Sequence, residues 1–526
     1  MYNSIENFQY DSCISRGICT ISPQNSALQT VLVLFLRLFS KYACNLDSKT
    51  CISNDCKLFI LDTIAITIYN PDFDEKFFLE SINKFKKYLP PLIENFYKEN
   101  QDDTEFEKEK KNAIKLFNES ENITSAIKFG EKVFYKAQKE IPSIIRDLYN
   151  IILIIAKSIS INLIELNSFN KKYESGFQVV LKLLTMIDSK KEDIEELKNI
   201  IKESVEANVK IMQILRIAQE ERYGDQMSAE VSYSTIPNKA VLVVGSNIRE
   251  LETVLESLKD FDIDIYTHDD MMLAHTFPKF REYSHLKGQF GLGIENCLLD
   301  FATFPGPIIL TKNSLHNIEN FYRGRLFTTD LSTPKGVIKI ENNDFSKVIK
   351  SAEDSKGFKT GKQCETIEIG YNKDEIFEKI KKELENNNYE RIFLIGLEGY
   401  SLEQKSYFEK LIKLAGEKVL IISFSYNLNL KNIIHINACF DSYSLINIFD
   451  YLRDFNKDIS VFIPKCDRNT LSQMVYMTSF EKTKIFMGKC IPIILNPSLL
   501  NTLQESFGIK NITSAKKDLE IIGEIK

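Results

Sequence analysis

Ser232-Tyr233-Ser234-Thr235-Ile236-Pro237-Asn238-Lys239-Ala240-Val241-Leu242-Val243-Val244-Gly245 is where this sequence changes character. Its first seven residues are polar and contain a proline, the composition of a connection between domains. The run Ala240–Val244 is β-branched and apolar, the pattern of a short strand. Upstream, Leu28–Leu46, Leu58–Tyr69, Asp74–Phe96, Ile123–Ile164 and Phe177–Arg222 place apolar residues three and four apart, with many Glu and Lys and almost no Gly. That spacing predicts stacked amphipathic helices. Asn100–Lys111 is nearly all charged or polar and is expected to be a solvated loop or helix end.

Downstream the pattern alternates. Ile263–Tyr266, Pro307–Thr311, Leu326–Thr328 and Val337–Ile340 repeat the strand signal of Ala240–Val244, separated by segments of helix length. After a Gly- and Lys-rich gap at Lys356–Lys362 the signal restarts at Arg391–Ile395, Lys418–Ser423, Ile433–Asn437, Ile459–Ile463, Lys484–Met487 and Ile491–Leu495. Strands alternating with helices argue for parallel sheets covered by helices. The expected architecture is a helical domain over residues 1–236, a first α/β domain over 237–355 and a second over 356–526. No repeat of solenoid period is present.

Composition narrows the function. The 526 residues carry 67 Lys+Arg against 73 Asp+Glu, a net charge of −6 with both signs interspersed, so no basic footprint for nucleic acid or an anionic membrane exists. The most apolar stretches, Val31–Phe39 and Ile151–Ile164, are interrupted by Arg37 and Lys157, short of the ~18 unbroken apolar residues of a membrane span. Met1–Tyr10 shows no basic segment followed by an apolar one, and no secretory signal is expected. A cytoplasmic setting follows, in which the ten cysteines are read as free thiols or metal ligands rather than disulfides.

Nucleotide signals fail in their details. Val243-Val244-Gly245-Ser246-Asn247 offers one glycine where a dinucleotide turn needs three. Gly288-Gln289-Phe290-Gly291-Leu292-Gly293 has three in the wrong order, and no GxxxxGK[ST] phosphate loop occurs. The sequence thus predicts no NAD, FAD or P-loop site. The five histidines, His268, His275, His285, His316 and His435, fit no HExxH or Cys2His2 spacing, and no GxSxG elbow announces a Ser-His-Asp triad. Their default reading is a hydrogen-bonded place in a loop or strand-end turn.

Cysteines say more. Cys13, Cys19, Cys44, Cys51 and Cys56 put half of the total within 44 residues. Iron–sulfur clusters are held by Cys thiolates, usually four, and Cys13 and Cys19 with Gly17 and Pro23 have the look of such a loop. Cys44, Cys51 and Cys56 complete a set of four only if the fold brings them beside that pair. Cys297, Cys364, Cys439, Cys466 and Cys490 are scattered, and a small buried hydrophobe is the default for each.

Several blocks resemble the hybrid-cluster (prismane) protein family, the hydroxylamine reductases. They are Asp264-Ile265-Tyr266-Thr267-His268-Asp269-Asp270-Met271, Ala274-His275, Phe304-Pro305-Gly306-Pro307-Ile308, Phe327-Thr328-Thr329 and Asn437-Ala438-Cys439-Phe440-Asp441-Ser442-Tyr443-Ser444. Ser12-Cys13 through Cys19 with Pro23 and Leu28-Gln29, and the tail segments Asn496-Pro497-Ser498 and Phe507-Gly508-Ile509-Lys510, belong with them. The resemblance spans the chain and implies a helical N-terminal domain followed by two Rossmann-like α/β domains. It also implies a cubane-type cluster on four N-terminal cysteines and a mixed iron–sulfur–oxygen hybrid cluster. Together these handle hydroxylamine or nitric oxide reductively.

Carried over residue by residue, the resemblance is incomplete. Cys13 and Cys19 match the second pair of the N-terminal motif, and Met1–Ser12 supplies no first pair. At the hybrid-cluster positions the family's His falls on Ser246, a Glu on Asp270, a Cys on Ser314, another Cys near Leu397 or Glu398, a third on Phe424 and a second Glu on Ile463. Cys439 and Lys465 match. Soft thiolates anchor iron and sulfide, a Ser hydroxyl does so poorly, and Phe or Ile not at all. Three readings follow in order. The first is a re-purposed scaffold without hydroxylamine reductase activity, assembling with a redox or other partner protein. The second is an oxidoreductase with an unorthodox cluster on Cys13, Cys19 and two of Cys44, Cys51 and Cys56. The third is a metal-free enzyme using His268, Asp269, Asp270 and Lys465 as acids and bases.

Overall fold

The computed structural model describes residues 22–44, 52–68, 73–100, 103–188, 193–291, 297–314, 318–364, 366–396, 402–425, 433–438, 440–466, 468–490 and 497–523. The chain divides into two compact units. One comprises Met1–Ile211, Leu331–Lys335 and Pro492–Thr502; the other comprises Met212–Asp330, Gly336–Ile491 and Leu503–Lys526.

The first unit is helical, as the spacing predicts. Its helices run over Pro23–Ala43, Asn54–Thr67, Glu75–Asn100, Asp103–Glu119, Ile123–Glu140, Ser143–Ser168, Glu174–Asp188 and the first part of Ile194–Tyr223. Pro23–Ala43 starts where Ser22 accepts a hydrogen bond from the Asn25 amide at 3.1 Å and Pro23 occupies the first turn, both standard devices for a helix start. Its Val31, Phe35 and Phe39 are buried, and the Phe35 ring stacks on Phe85 and Phe117 at 5.1 Å each.

One expectation is revised in this unit. The polar stretch Asn100–Lys111 is largely helix: Asp103–Glu119 buries Ala113 and Phe117, which are four apart and outlie the charged part. Ser143–Ser168 is long and apolar enough to pass for a membrane span, yet 83% of its most apolar window is buried within the protein. It is the core helix of the unit. Its polar residues explain why: Asn162 donates to Asn208 Oδ1 at 2.9 Å, Asn208 donates to Ser158 Oγ at 2.8 Å, and Asp147 accepts from Ser498 and Thr502. Buried polar groups need such partners.

The second unit holds two parallel sheets. The first is built from β2 (Lys239–Val244), β3 (Ile263–His268), β4 (Leu286–Gln289), β5 (Ile308–Leu310), β6 (Leu326–Thr328) and β7 (Ile338–Lys339), in the spatial order β4-β3-β2-β5-β6-β7. The second uses β9 (Arg391–Ile395), β10 (Val419–Ser423), β11 (Ile433–His435), β12 (Asp458–Cys466), β13 (Thr483–Cys490) and β14 (Lys510–Asn511), in the order β11-β10-β9-β12-β13-β14. Both are the doubly wound order, in which the first strand of each sheet is central and the winding reverses beside it. The central strand β2 is buried at five consecutive positions, Ala240–Val244, as an apolar run between two layers should be. β4 escapes sequence reading because Leu-Lys-Gly-Gln alternates nothing. The segment Ile491–Leu495 lies outside the described residues.

The polar stretch Ser232–Asn238 is no free connector. Ser232 ends β1 (Ala229–Ser232), which pairs antiparallel with β8 (Thr366–Ile369). Thr235 and Lys362 exchange backbone hydrogen bonds of 2.9 and 3.1 Å, and the Phe358 amide donates to Asn238 O at 2.9 Å. Polar residues here satisfy a second, small antiparallel ribbon.

Candidate functional site

In doubly wound sheets ligands bind beyond the carboxyl ends of the strands, at the point where the winding reverses. In the first sheet that point lies between β2 and β5. β2 ends in Gly245, with φ 124°. A Cβ there would lie 2.1 Å from Ser314 Oγ and 2.3 Å from Thr311 Oγ1, so the turn tolerates only glycine. Thr311 Oγ1 donates to Val244 O at 2.8 Å and sits 3.4 Å from Ser314 Oγ, which is itself buried. Ser246 follows and is exposed. Asn247 then caps the helix Ile248–Leu258. On that helix Glu250 Oε2 accepts from the Lys312 amide at 2.9 Å and from Thr329 Oγ1 at 2.6 Å, and burial pushes its carboxyl upward.

β3 ends in His268, whose ring is wholly buried. Its Nε2 lies 3.0 Å from Asp300 Oδ2, and the Phe301 ring packs against it at 5.3 Å. Next to it in the strand, Thr267 Oγ1 bonds Gln289 Oε1 at 2.6 Å and His275 Nε2 at 2.8 Å. Burial holds His275 neutral, its pKa lowered to about 4. Asp269, with φ 61°, opens the 3-10 turn that carries the partly buried Asp270. These histidines occupy strand-end turns and hydrogen-bonded positions. Gly288 and Gln289 lie within β4, Gly291 follows it, and Gly293 lies outside the described residues.

In the second sheet the reversal lies between β9 and β12. Phe424 follows β10 and is fully buried, its amide bonded to Ile395 O at 3.0 Å. Ile463 of β12 is also fully buried, and its Cγ1 would lie 3.3 Å from a Cβ placed on Gly396. Lys465 stands on β12 in register with Lys489 of β13. Cys439, like Leu397 and Glu398, lies outside the described residues. Two residues past it, Asp441 caps the helix Ser442–Arg453 by accepting from the Tyr443 amide at 3.2 Å. Asp441 also pairs with Arg216 at 2.8 Å. Arg216 is sandwiched between the Phe277 and Tyr443 rings at 5.6 and 5.1 Å, and donates to Gln226 Oε1.

The candidate residues therefore fall into two groups. Ser246, Asp270 and Ser314 stand at the carboxyl edge of the first sheet, and Phe424, Ile463 and Lys465 at that of the second. Sequence reading missed Asp300, Arg216 and Asp441 as polar partners. Their mates are 32 and 225 residues away, and only the helix-start pattern Asp441-Ser442-Tyr443-Ser444 gave a local signal.

Cys13, Cys19 and Cys51 lie outside the described residues. Cys44 ends the helix Pro23–Ala43, and Cys56 sits in the first turn of Asn54–Thr67, where its amide donates to Ser53 Oγ at 3.3 Å. Both are free thiols, and burial raises both, Cys56 to about 12. Among the described residues no three His, Cys, Asp or Glu side chains are grouped to hold a metal ion.

This chain is similar in sequence to known proteins over nearly its whole length. The model of the Prismane/CO dehydrogenase family matches residues 9–520. A hydroxylamine reductase of Thermodesulfovibrio yellowstonii is 24% identical over 97% of both chains. Another, of Kosmotoga olearia, is 27% identical over 99% of this chain and 98% of its own. A solved structure described as NiZn[Fe4S4] and NiNi[Fe4S4] clusters in closed and open alpha subunits of acetyl-CoA synthase/carbon monoxide dehydrogenase covers 97% of this chain and 84% of its own. It aligns at a TM-score of 0.48 and 10% identity. With a family match running over nearly its whole length, this chain belongs to the Prismane/CO dehydrogenase family.

Proposed function

We propose that this chain uses the prismane fold without hydroxylamine reductase chemistry, as a re-purposed scaffold that works with a redox or assembly partner in a reducing compartment. The observation that carries this reading is the state of two positions where the family resemblance puts iron ligands. Phe424 and Ile463 are each 0% exposed and packed into the second sheet's core. A buried hydrocarbon offers no lone pair, and it occupies the volume through which a ligand would reach. At the first sheet Ser314 is a buried hydroxyl closely packed beside Thr311 and Gly245, and Ser246 is an exposed one. What is left of the set is Cys439, Asp270 and Lys465. One thiol, one carboxylate and one ammonium do not fit the hybrid cluster, so no step of function is routed through it.

Anaerobic purification with iron and sulfide supplied tests this. The expected result is no hybrid-cluster signal by electron paramagnetic resonance and no hydroxylamine-dependent oxidation of a reduced viologen dye. A full signal with turnover overturns the reading.

A second reading, an unorthodox iron–sulfur cluster on N-terminal cysteines, is favoured by one observation. Cys44 and Cys56 sit at the facing ends of two successive helices, with Cys51 between them in sequence. Burial raises both thiols, so a cluster there would have to displace their protons on binding. Iron and acid-labile sulfide analysis separates the two readings: near zero supports the first, ~4 iron per chain the second.

A further inference from the structure

We propose that Cys466 and Cys490 form a thiol pair that low-molecular-weight disulfides oxidise reversibly to a cross-strand disulfide at the carboxyl edge of the second sheet. Neither residue belongs to the positions that the family resemblance assigns to a cluster. Sequence alone treats them as two of several scattered cysteines, 24 residues apart.

The fold removes that separation. β12 and β13 run parallel and in register from Ile459↔Thr483 to Cys466↔Cys490, so the two cysteines are direct Cα partners at the last rung of the ladder. Register partners of a parallel pair stand on the same face of the sheet, with strands about 4.8 Å apart. A disulfide spans Cα separations of roughly 4.4–6.8 Å, so this placement can be bridged without separating the strands. Just before that rung the backbones are pressed together: a Cβ on Gly488 would lie 2.3 Å from Pro464 O. The two strand ends are therefore held at a fixed spacing.

The step balances as a thiol–disulfide exchange. One protein thiolate attacks a sulfur of the small disulfide, forming a mixed disulfide and expelling one small thiolate. The second protein thiolate attacks the mixed disulfide at the protein sulfur, closing the Cys466–Cys490 bond and expelling the other. Two electrons pass from the protein thiols to the small disulfide, and the two protons they release convert the expelled thiolates to thiols. Small thiols in excess drive the sequence backwards. The bond would tie the strand end that carries Lys465 to its neighbour.

Full-length protein, oxidised with excess glutathione disulfide at pH 8, blocked with N-ethylmaleimide and digested without reductant, tests this by mass spectrometry. The expected product is one cross-linked peptide pair containing Cys466 and Cys490, two hydrogens lighter than the reduced pair and abolished by dithiothreitol. Cys466→Ser and Cys490→Ser proteins should each instead collect glutathione on the remaining cysteine. Three results on the unmodified protein would overturn the proposal, whatever the variants do: both cysteines labelled by maleimide after oxidation, both carrying glutathione without a cross-link, or either one bridged to a different cysteine.

Discussion

Arg216 and Asp441 form an ion pair of 2.8 Å whose side chains are only 5% and 3% exposed. Burial lowers the guanidinium's proton affinity and Asp441 more than restores it, so Arg216 stays charged. Removing one partner strands a buried charge, which costs about 3–5 kcal/mol. Asp441→Ala should lower the stability of the second unit by about that much. The double variant Arg216→Met with Asp441→Ala should lose less than the sum of the single changes. Urea midpoints of the four proteins check this, and strictly additive losses would count against the pair as an energetic unit.

Gly130 lies in the helix Ile123–Glu140, where replacement by alanine ordinarily stabilises by about 1 kcal/mol. Here the sign should reverse. A Cβ would come 2.2 Å from Ala27 O on the helix Pro23–Ala43, and backbone cannot move aside cheaply. Gly130→Ala should lower the melting temperature. An unchanged or higher value would show that the two helices are not in such close contact.

His275 makes stability depend on acid. Its pKa is lowered to about 4 by burial, against roughly 6.5 in an unfolded chain. Between those values the unfolded state binds the proton and the folded state does not, so the stability it contributes is present above ~6.5 and lost as pH falls through about 4. His275→Asn should flatten the decline in denaturation midpoint between pH 7 and pH 4.5. An unaltered slope would mean that His275 is not the group responsible.

Cys56 is 4% exposed with its thiol pushed up to about 12. At pH 8 iodoacetamide should leave it unmodified in folded protein and alkylate it in urea, whereas the partly exposed Cys364 should react in both. Peptide mapping reads the two positions separately. Alkylation of Cys56 in the folded state would show that its helix end opens.

Phe424→Cys restores a thiol where the family resemblance places one. It should nevertheless remove a buried ring at a cost of about 3 kcal/mol and bring no iron with it. Iron analysis beside a melting curve tests both halves, and a stable, iron-loaded variant would argue that the site is closer to intact than its side chains imply.

How much of this was readable in sequence depended on the range of the interaction. Ala240–Val244 announced a central strand because an apolar β-branched run needs no distant partner to be recognised. Leu286–Gln289 did not, since its place in the sheet comes from β3 and not from its own composition. Asp103–Glu119 was hidden by its charges, with only Ala113 and Phe117 marking the buried side. In the site, the residue types at Ser246, Ser314, Phe424 and Ile463 were visible, but their burial was not. His268 was readable as a strand-end histidine, while Asp300 sits on a separate short helix and nothing local tied it to the ring.

The ribbon of β1 with β8 sets a practical limit on dividing this protein. Its two strands come from either side of the first sheet, Ala229–Ser232 before and Thr366–Ile369 after. A fragment beginning at residue 237, the boundary that sequence suggests, would discard β1 and leave β8 with an unpaired row of backbone donors and acceptors. Such an edge recruits other chains. Recombinant fragments of the α/β half should therefore keep Ala229 onward if they are to stay dispersed.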